Sequence, residues 1–239
     1  MADTNGMGAV ESEVAALGAI AESVRGTFQT VEEMTQSFIR EAIMRGVFRP
    51  GQRLNLDAIA ESLGVSRMPV RASLRQLESE GLVQTSRYRG ATVSVLRADE
   101  IAEIYELRIL LESYLLKLAI KGMDDELLHR LEAIAQSLDD AQEPGARLDY
   151  RYQLYETLYQ RANRPRALAQ VTSLRGSVGR YLLLQRVDER HSHDELIEFL
   201  RARDARGATA WLSKHLAKVS AKLQQMVAKQ DDLAAEGDA

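Results

Sequence analysis

A chain of 239 residues with a net charge of −4, 45% hydrophobic and 28% charged residues and only four prolines reads as a folded globular protein, long enough for one large domain or two small ones. Two domains are expected. The absence of cysteine excludes disulfide scaffolds, thiolate zinc sites and cysteine nucleophiles. The longest apolar runs, such as 181–184, fall far short of the roughly 18 residues that cross a bilayer. The first 27 residues lack the features of a secretory signal, so a cytoplasmic location and no membrane partner are expected.

Within that first segment, residues 10–24 place apolar side chains at helical spacing, which fits either an extra helix or a mobile arm. The negative total argues against a nucleic-acid partner, but its distribution does not. Residues 28–97 hold ten arginines against seven acids, a net +3, and leave −7 for the remainder. Thr30 with Glu33 forms a capping box, and Phe38, Ile39, Ala42 and Ile43 then recur helically, predicting a helix over 31–45. Pro50 and Gly51 make a turn. Asn55 caps a second helix with Leu56, Ile59, Ala60 and Leu63 inward, ended by Gly64.

Ser66 then caps a third helix in which Pro69 is tolerated in the first turn. Val70, Leu74 and Leu77 face inward, while Arg67, Arg71 and Arg75 recur at i, i+4 and i+8 along one outward stripe. Alternation over 82–85 and 92–95 predicts two strands joined by a turn at 86–91. Three helices and a β-hairpin make residues 28–97 a winged helix-turn-helix, in which the arginine-rich second half is the DNA face. An outward guanidinium fork matches the O6 and N7 acceptors of guanine in the major groove. A solvated helix face is the plainer reading of such a stripe taken alone.

From 98 to 230 no strand pattern occurs, and six amphipathic stretches predict an all-α bundle: 99–121, 124–141, 147–162, 165–187, 193–203 and 205–229. Gly122, Pro144 with Gly145, and 163–165 are the clearest breaks, and 231–239 is expected to be a flexible tail. Gly176 and Gly179 lie inside an apolar helix, which close helix contact within the bundle or across a dimer would explain.

Two stretches carry a resemblance: LGVSRMPVRASLRQLESEGLV over 63–83 and RGATV over 89–93. They are similar to the GntR-type regulators. In the second half LRILLE at 107–112, HDELIEFLRARD from His193 and KHL around His215 resemble the FCD helices of the FadR-like group, in order and spacing. The resemblance covers about residues 30–225. It implies a homodimeric transcription regulator, a repressor by expectation, that binds a palindromic double-stranded operator and responds to a small carboxylate-type effector. It also implies DNA contacts by Ser66, Arg67 and Arg71 and close approach of the wing at Gly90, while Arg75 and Arg89, which flank the motif, are expected to contact phosphates because these accept from any nearby cation. Ala72 stands where such proteins carry an acid.

Many FCD domains hold a divalent metal with one aspartate and three histidines, the first two lying i, i+4 on one helix. Aligned on the turn at 163–165, those two positions are Arg151 and Tyr155, while His193 and His215 take the others. A shifted register offers Asp149 with Gln153, which does not restore the set. No metal or other cofactor is therefore expected. Arg151 is expected to bind an anion directly, with Tyr155, His193 and His215 orienting it. Histidines buried and bonded across the bundle are the plainer alternative for His193 and His215. Arg108 and Glu112, also i, i+4, read most simply as an intrahelical ion pair, with pocket lining as the second reading, Arg108 being the residue expected to meet the effector. No grouping of nucleophile, base and oxyanion donors points to an enzyme. A DNA-architectural protein without an effector is the competing reading.

Overall fold

The computed structural model describes residues 15–24, 28, 30–86, 90–184 and 193–237. It divides into two compact units after Val95. The first contains α1 (residues 15–24), α2 (Val31–Met44), β1 (Arg53–Leu54), α3 (Leu56–Leu63), α4 (Arg67–Ser79), β2 (Val83–Ser86) and β3 (Gly90–Val93). Thr30 and Glu33 cap α2 reciprocally, at 3.1 and 3.2 Å. The Asn55 carboxamide accepts from Asp57 and Ala58 at the start of α3. Gly64, at φ 68°, ends α3 in the left-handed conformation and turns the chain into α4. Phe38, Ile39, Ile43, Ile59, Val70, Leu74 and Leu77 are buried together. Ile20, Ala21 and Val24 of α1 join the same core, so the apolar spacing near the N-terminus belongs to a packed helix.

The sheet has three antiparallel strands in the order β1-β3-β2, not the two of a simple hairpin. Arg53 lies opposite Thr92 on one side, and Val83 opposite Val93 on the other. Two residues are too few to show alternation, which is why β1 is invisible in the sequence. The expected strands at 82–85 and 92–95 are also displaced. Leu82 spends its N–H on the Leu77 carbonyl at the end of α4, so strand pairing starts at Val83.

The second unit is built from α5 (Ala98–Lys121), α6 (Asp125–Asp140), α7 (Pro144–Gln160), α8 (Pro165–Leu184), α9 (Asp194–Arg201) and α10 (Ala205–Gly237). Its core gathers Ile101, Tyr105, Leu115, Leu131, Leu138, Leu154, Leu158, Val178, Leu196, Leu212 and Leu223. Helix α7 begins at Pro144 rather than 147, because proline at N1 gives up an N–H that has no intrahelical acceptor. Helix α10 runs on to Gly237 where a tail was expected from 231. After Asp231 and Asp232 the added stretch holds leucine, alanine and glutamate, and it meets no proline or glycine before Gly237. A Cβ built on Gly176 meets no atom within 4 Å, so no close contact among the described residues explains that glycine. Among the described residues no helix is long and apolar enough to cross a membrane.

Candidate functional site

In the first unit α4 is pinned by its buried face. Val70, Leu74 and Leu77 enter the core, and the Ser73 hydroxyl donates to the Glu32 carbonyl at 3.1 Å. The opposite face carries Arg67, Arg71 and Arg75, all exposed. Arg67 pairs through Nε with Asp57 of α3, while Arg71 and Arg75 make no ion pair among the described residues. Ser66 sits at the N-cap position but its side chain makes no capping bond, contrary to expectation. Its extended φ and ψ leave the hydroxyl exposed and unspent beside Arg67. No residue of the first turn of α4 is itself acidic, and Asp57 of α3 is the carboxylate paired with Arg67 there. Gly90 opens β3 at φ 74°, a conformation that other residues adopt only under strain. The Arg53 guanidinium lies 3.6 Å from where its Cβ would be. Arg89 lies outside the described residues.

In the second unit the charged chemistry is buried. Glu112 is fully buried on α5, and all four of its hydrogen bonds come from neighbouring side chains. Oε1 accepts from Arg108 Nε at 2.8 Å and Arg175 Nε at 3.3 Å. Oε2 accepts from Arg175 Nη2 at 2.7 Å and the Tyr159 hydroxyl at 2.9 Å. Burial works against the carboxylate charge, but the Arg175 and Arg108 guanidiniums outweigh it and hold Glu112 at about 2. Both arginines are raised in turn, Glu112 overcoming the burial that opposes their charge. The Arg175 guanidinium also lies 4.1 Å from the centre of the Tyr155 ring, and that of Arg108 4.6 Å from Tyr105.

These groups border a cavity between α5, α7, α8 and α10 lined by Tyr105, Arg108, Arg151, Tyr152, Tyr155, Arg175 and His215, with an apolar side that includes Val178 and Leu216. The free space is small, about 30 Å³. Three guanidiniums therefore line this cavity, and two of them, Arg108 and Arg175, are paired with Glu112. Arg151 Nε and the Tyr155 hydroxyl are both out of solvent contact and without a hydrogen-bond partner. Burial lowers Arg151 from its ordinary value, and repulsion from Arg147 and Arg175 adds to it. Burial pushes Tyr155 up to about 12, so its hydroxyl stays a donor at neutral pH. Two unspent donors thus stand i, i+4 on one face of α7.

Of the residues singled out from the sequence, Arg108, Arg151, Tyr155 and His215 line this cavity together. His193 is buried beside it, its ring centre 5.9 Å from Tyr155 and 6.2 Å from His215, which stacks on Trp211 at 5.0 Å. Tyr105, Tyr152 and Arg175 carry no signal that the sequence reading used, and Glu112 reads there first as a local partner of Arg108, with pocket lining second. A signal existed for Arg175: it falls between Val171 and Val178 on the apolar stripe of α8, a core position where a charge needs a partner. The donor set does not fit a divalent cation. Arginine and tyrosine stand at two of the four expected ligand positions, and among the described residues no three His, Cys, Asp or Glu side chains gather to hold a metal.

Two family profiles match the chain in succession: the gntR family of bacterial regulatory proteins over residues 32–93, and the FCD domain over 103–218. The chain is 37% identical over 103 residues to the uncharacterized HTH-type transcriptional regulator YdhC of Bacillus subtilis, a match that spans 43% of this chain and 46% of that protein. It is 27% identical over 215 residues to the HTH-type transcriptional repressor GlaR of Escherichia coli, covering 80% of this chain and 94% of the repressor. The solved structure of McbR/YncC from E. coli shares the fold, with a TM-score of 0.70 at 23% identity over 83% of this chain and 99% of that one. The exposed arginine stripe on a helix-turn-helix and the helical unit behind it thus fall within matched segments, and the chain belongs to the GntR family of bacterial transcription regulators, with an FCD domain as its second unit.

Proposed function

We propose that this protein is a repressor that binds a palindromic operator as a homodimer and whose operator affinity is set by a small anion held in the second unit. The α4 stripe of Arg67 and Arg71 reads base edges, Ser66 and Arg75 bind phosphates, and the backbone at Gly90 approaches the minor groove, with Arg89 beside it. The anion alters the spacing of the two recognition helices in the dimer, which requires that it bind the two states of the protein unequally.

One observation carries the anion reading. Arg151 Nε and the Tyr155 hydroxyl are buried donors with no acceptor, next to a network in which a single carboxylate already serves two guanidiniums. A buried donor left unpaired costs about 1–3 kcal/mol, and more when charged, so an incoming acceptor recovers that energy. The available space suits about two or three water-sized centres, which fits a carboxylate or similar oxyanion as the group at Arg151, with His215 and His193 setting the orientation of what it is attached to. An arginine in the i, i+4 pair supplies the positive charge that a metal supplies elsewhere.

Thermal shifts with phosphate, sulfate and a panel of small mono- and dicarboxylates test this. At least one is expected to raise the melting temperature of the wild type and change its operator affinity. Arg151→Ala should lose both responses while binding operator as the unliganded wild type does. Anion responses that survive in Arg151→Ala would remove that residue from the site. The purified protein is further expected to carry no stoichiometric zinc, nickel or manganese. About one tightly held metal per chain by elemental analysis, lost on mutating His193 or His215, would overturn the anion reading.

A further inference from the structure

We infer that Met68 reads the 5-methyl group of a thymine in the major groove, which makes that methyl group part of the operator beside the bases that Arg67 and Arg71 contact. This rests on the reading of α4 as the helix that meets base edges, and it assigns that helix one more base.

The placement of Met68 carries the inference. Successive helix residues are about 100° apart, so Met68 lies about 160° round α4 from the buried Val70 and about 180° from the buried Leu77. Arg67 is only about 60° from Val70 and Arg71 about 100°, so Met68 points away from the core more directly than either arginine. Met68 is 67% exposed, the most exposed large apolar side chain among the described residues of the first unit and the only exposed one on α4. Val65 and Val70 on either side of it pack in the core, but Met68 takes no part in it. Ala72, one turn on and half-buried, continues the same line, which makes an apolar step roughly 6 Å long. Arg67, Arg71 and Arg75 run along one edge of that step.

The chemistry of the groove supplies the match. Among the four bases only thymine presents an apolar group on its major-groove edge, the 5-methyl. A guanidinium or a hydroxyl gains nothing from it. A thioether side chain is unbranched and polarisable, so it settles against a methyl group without leaving a donor or acceptor unpaired. In the free protein Met68 stands in water, and seating it on the methyl takes apolar surface of both out of water. Removing that one methyl group from the DNA therefore costs about fourfold in affinity, the value of a buried carbon of this size.

A duplex selected from a random library, with each thymine replaced in turn by uracil, tests this by fluorescence anisotropy on the full chain. Uracil pairs as thymine does but lacks the 5-methyl group. The wild type is expected to lose about fourfold in affinity at one thymine position. Met68→Ala should bind the thymine and uracil duplexes of that position equally, and so should Met68→Gln, which keeps the length of the side chain but not its apolar end. Met68→Leu should keep the preference. All three variants should melt as the wild type does, since Met68 has no part in the core. A wild type indifferent to every uracil overturns the inference, as does a preference that persists in Met68→Ala. Arg67→Ala and Arg71→Ala then separate the two readings: if they lose the selected duplex, only the role of Met68 falls, and if they bind it as the wild type does, the reading of α4 falls with it.

Discussion

Glu112→Gln is expected to destabilise the second unit by about 3–5 kcal/mol, the usual penalty for removing one partner from a buried ion pair. The amide fits the space of the carboxylate, so packing is not the cause. Arg108 and Arg175 lose their shared counter-charge, and the amide nitrogen, itself a donor, is turned toward Tyr159 or a guanidinium that already donates. Urea unfolding followed by circular dichroism measures the loss. A change below about 1 kcal/mol would mean that the two guanidiniums satisfy themselves without Glu112. The same variant has a second expected property. Its cavity holds three guanidiniums and no carboxylate, so phosphate or a small carboxylate should raise its melting temperature more than that of the wild type.

The acid limb of the stability curve carries an independent signature of the same group. Glu112 is held at about 2 in the folded protein against an ordinary 4.5. A carboxyl whose folded value is depressed stabilises the fold above its unfolded value, and that contribution disappears as pH falls through the folded value. Wild-type stability should therefore hold above about pH 4.5 and decline toward pH 2, with roughly 3 kcal/mol assigned to this residue. Glu112→Gln should have a flatter limb over that window.

The winged unit was legible in the sequence wherever local signals are strong. The Thr30–Glu33 capping box, the Asn55 cap and the left-handed Gly64 each act within a few residues, and each falls where the spacing put it. Strand β1 was not legible, because its two residues exist as a strand only through pairing with β3. The helical unit followed a similar division: periodicity located all six helices, but Pro144 and the stretch after 230 were misread as a break and a tail. Arg151, Tyr155 and His215 could be named as pocket residues because the resemblance placed them. Arg175 lies 63 residues from Glu112, and only the packing of α8 against α5 brings them into contact. A charge on an apolar stripe announces that a partner exists without naming it.

Arg67→Ala and Arg71→Ala are each expected to weaken specific operator binding by about 1–3 kcal/mol, the value of a guanidinium fork on a guanine edge. Neither should move the melting temperature of the first unit, because the buried face of α4 is Val70, Ser73, Leu74 and Leu77, while Arg67 and Arg71 stand out from it. Arg67 engages Asp57 through Nε, which leaves its two terminal nitrogens for a base and gives the fork a fixed starting direction. Arg75, two turns further from the N-terminus of α4 than Arg67, provides the control. Arg75→Ala should weaken all duplexes about equally and reduce the slope of log affinity against log salt by about one, as loss of a single phosphate contact does. Fluorescence anisotropy against a duplex selected from a random library, alongside a scrambled duplex and over a salt series, separates the two behaviours. Base-reading residues lose discrimination between the duplexes, whereas phosphate-binding residues lose affinity for both. If Arg67→Ala and Arg71→Ala bind the selected duplex as tightly as the wild type, α4 is not the helix that reads the operator.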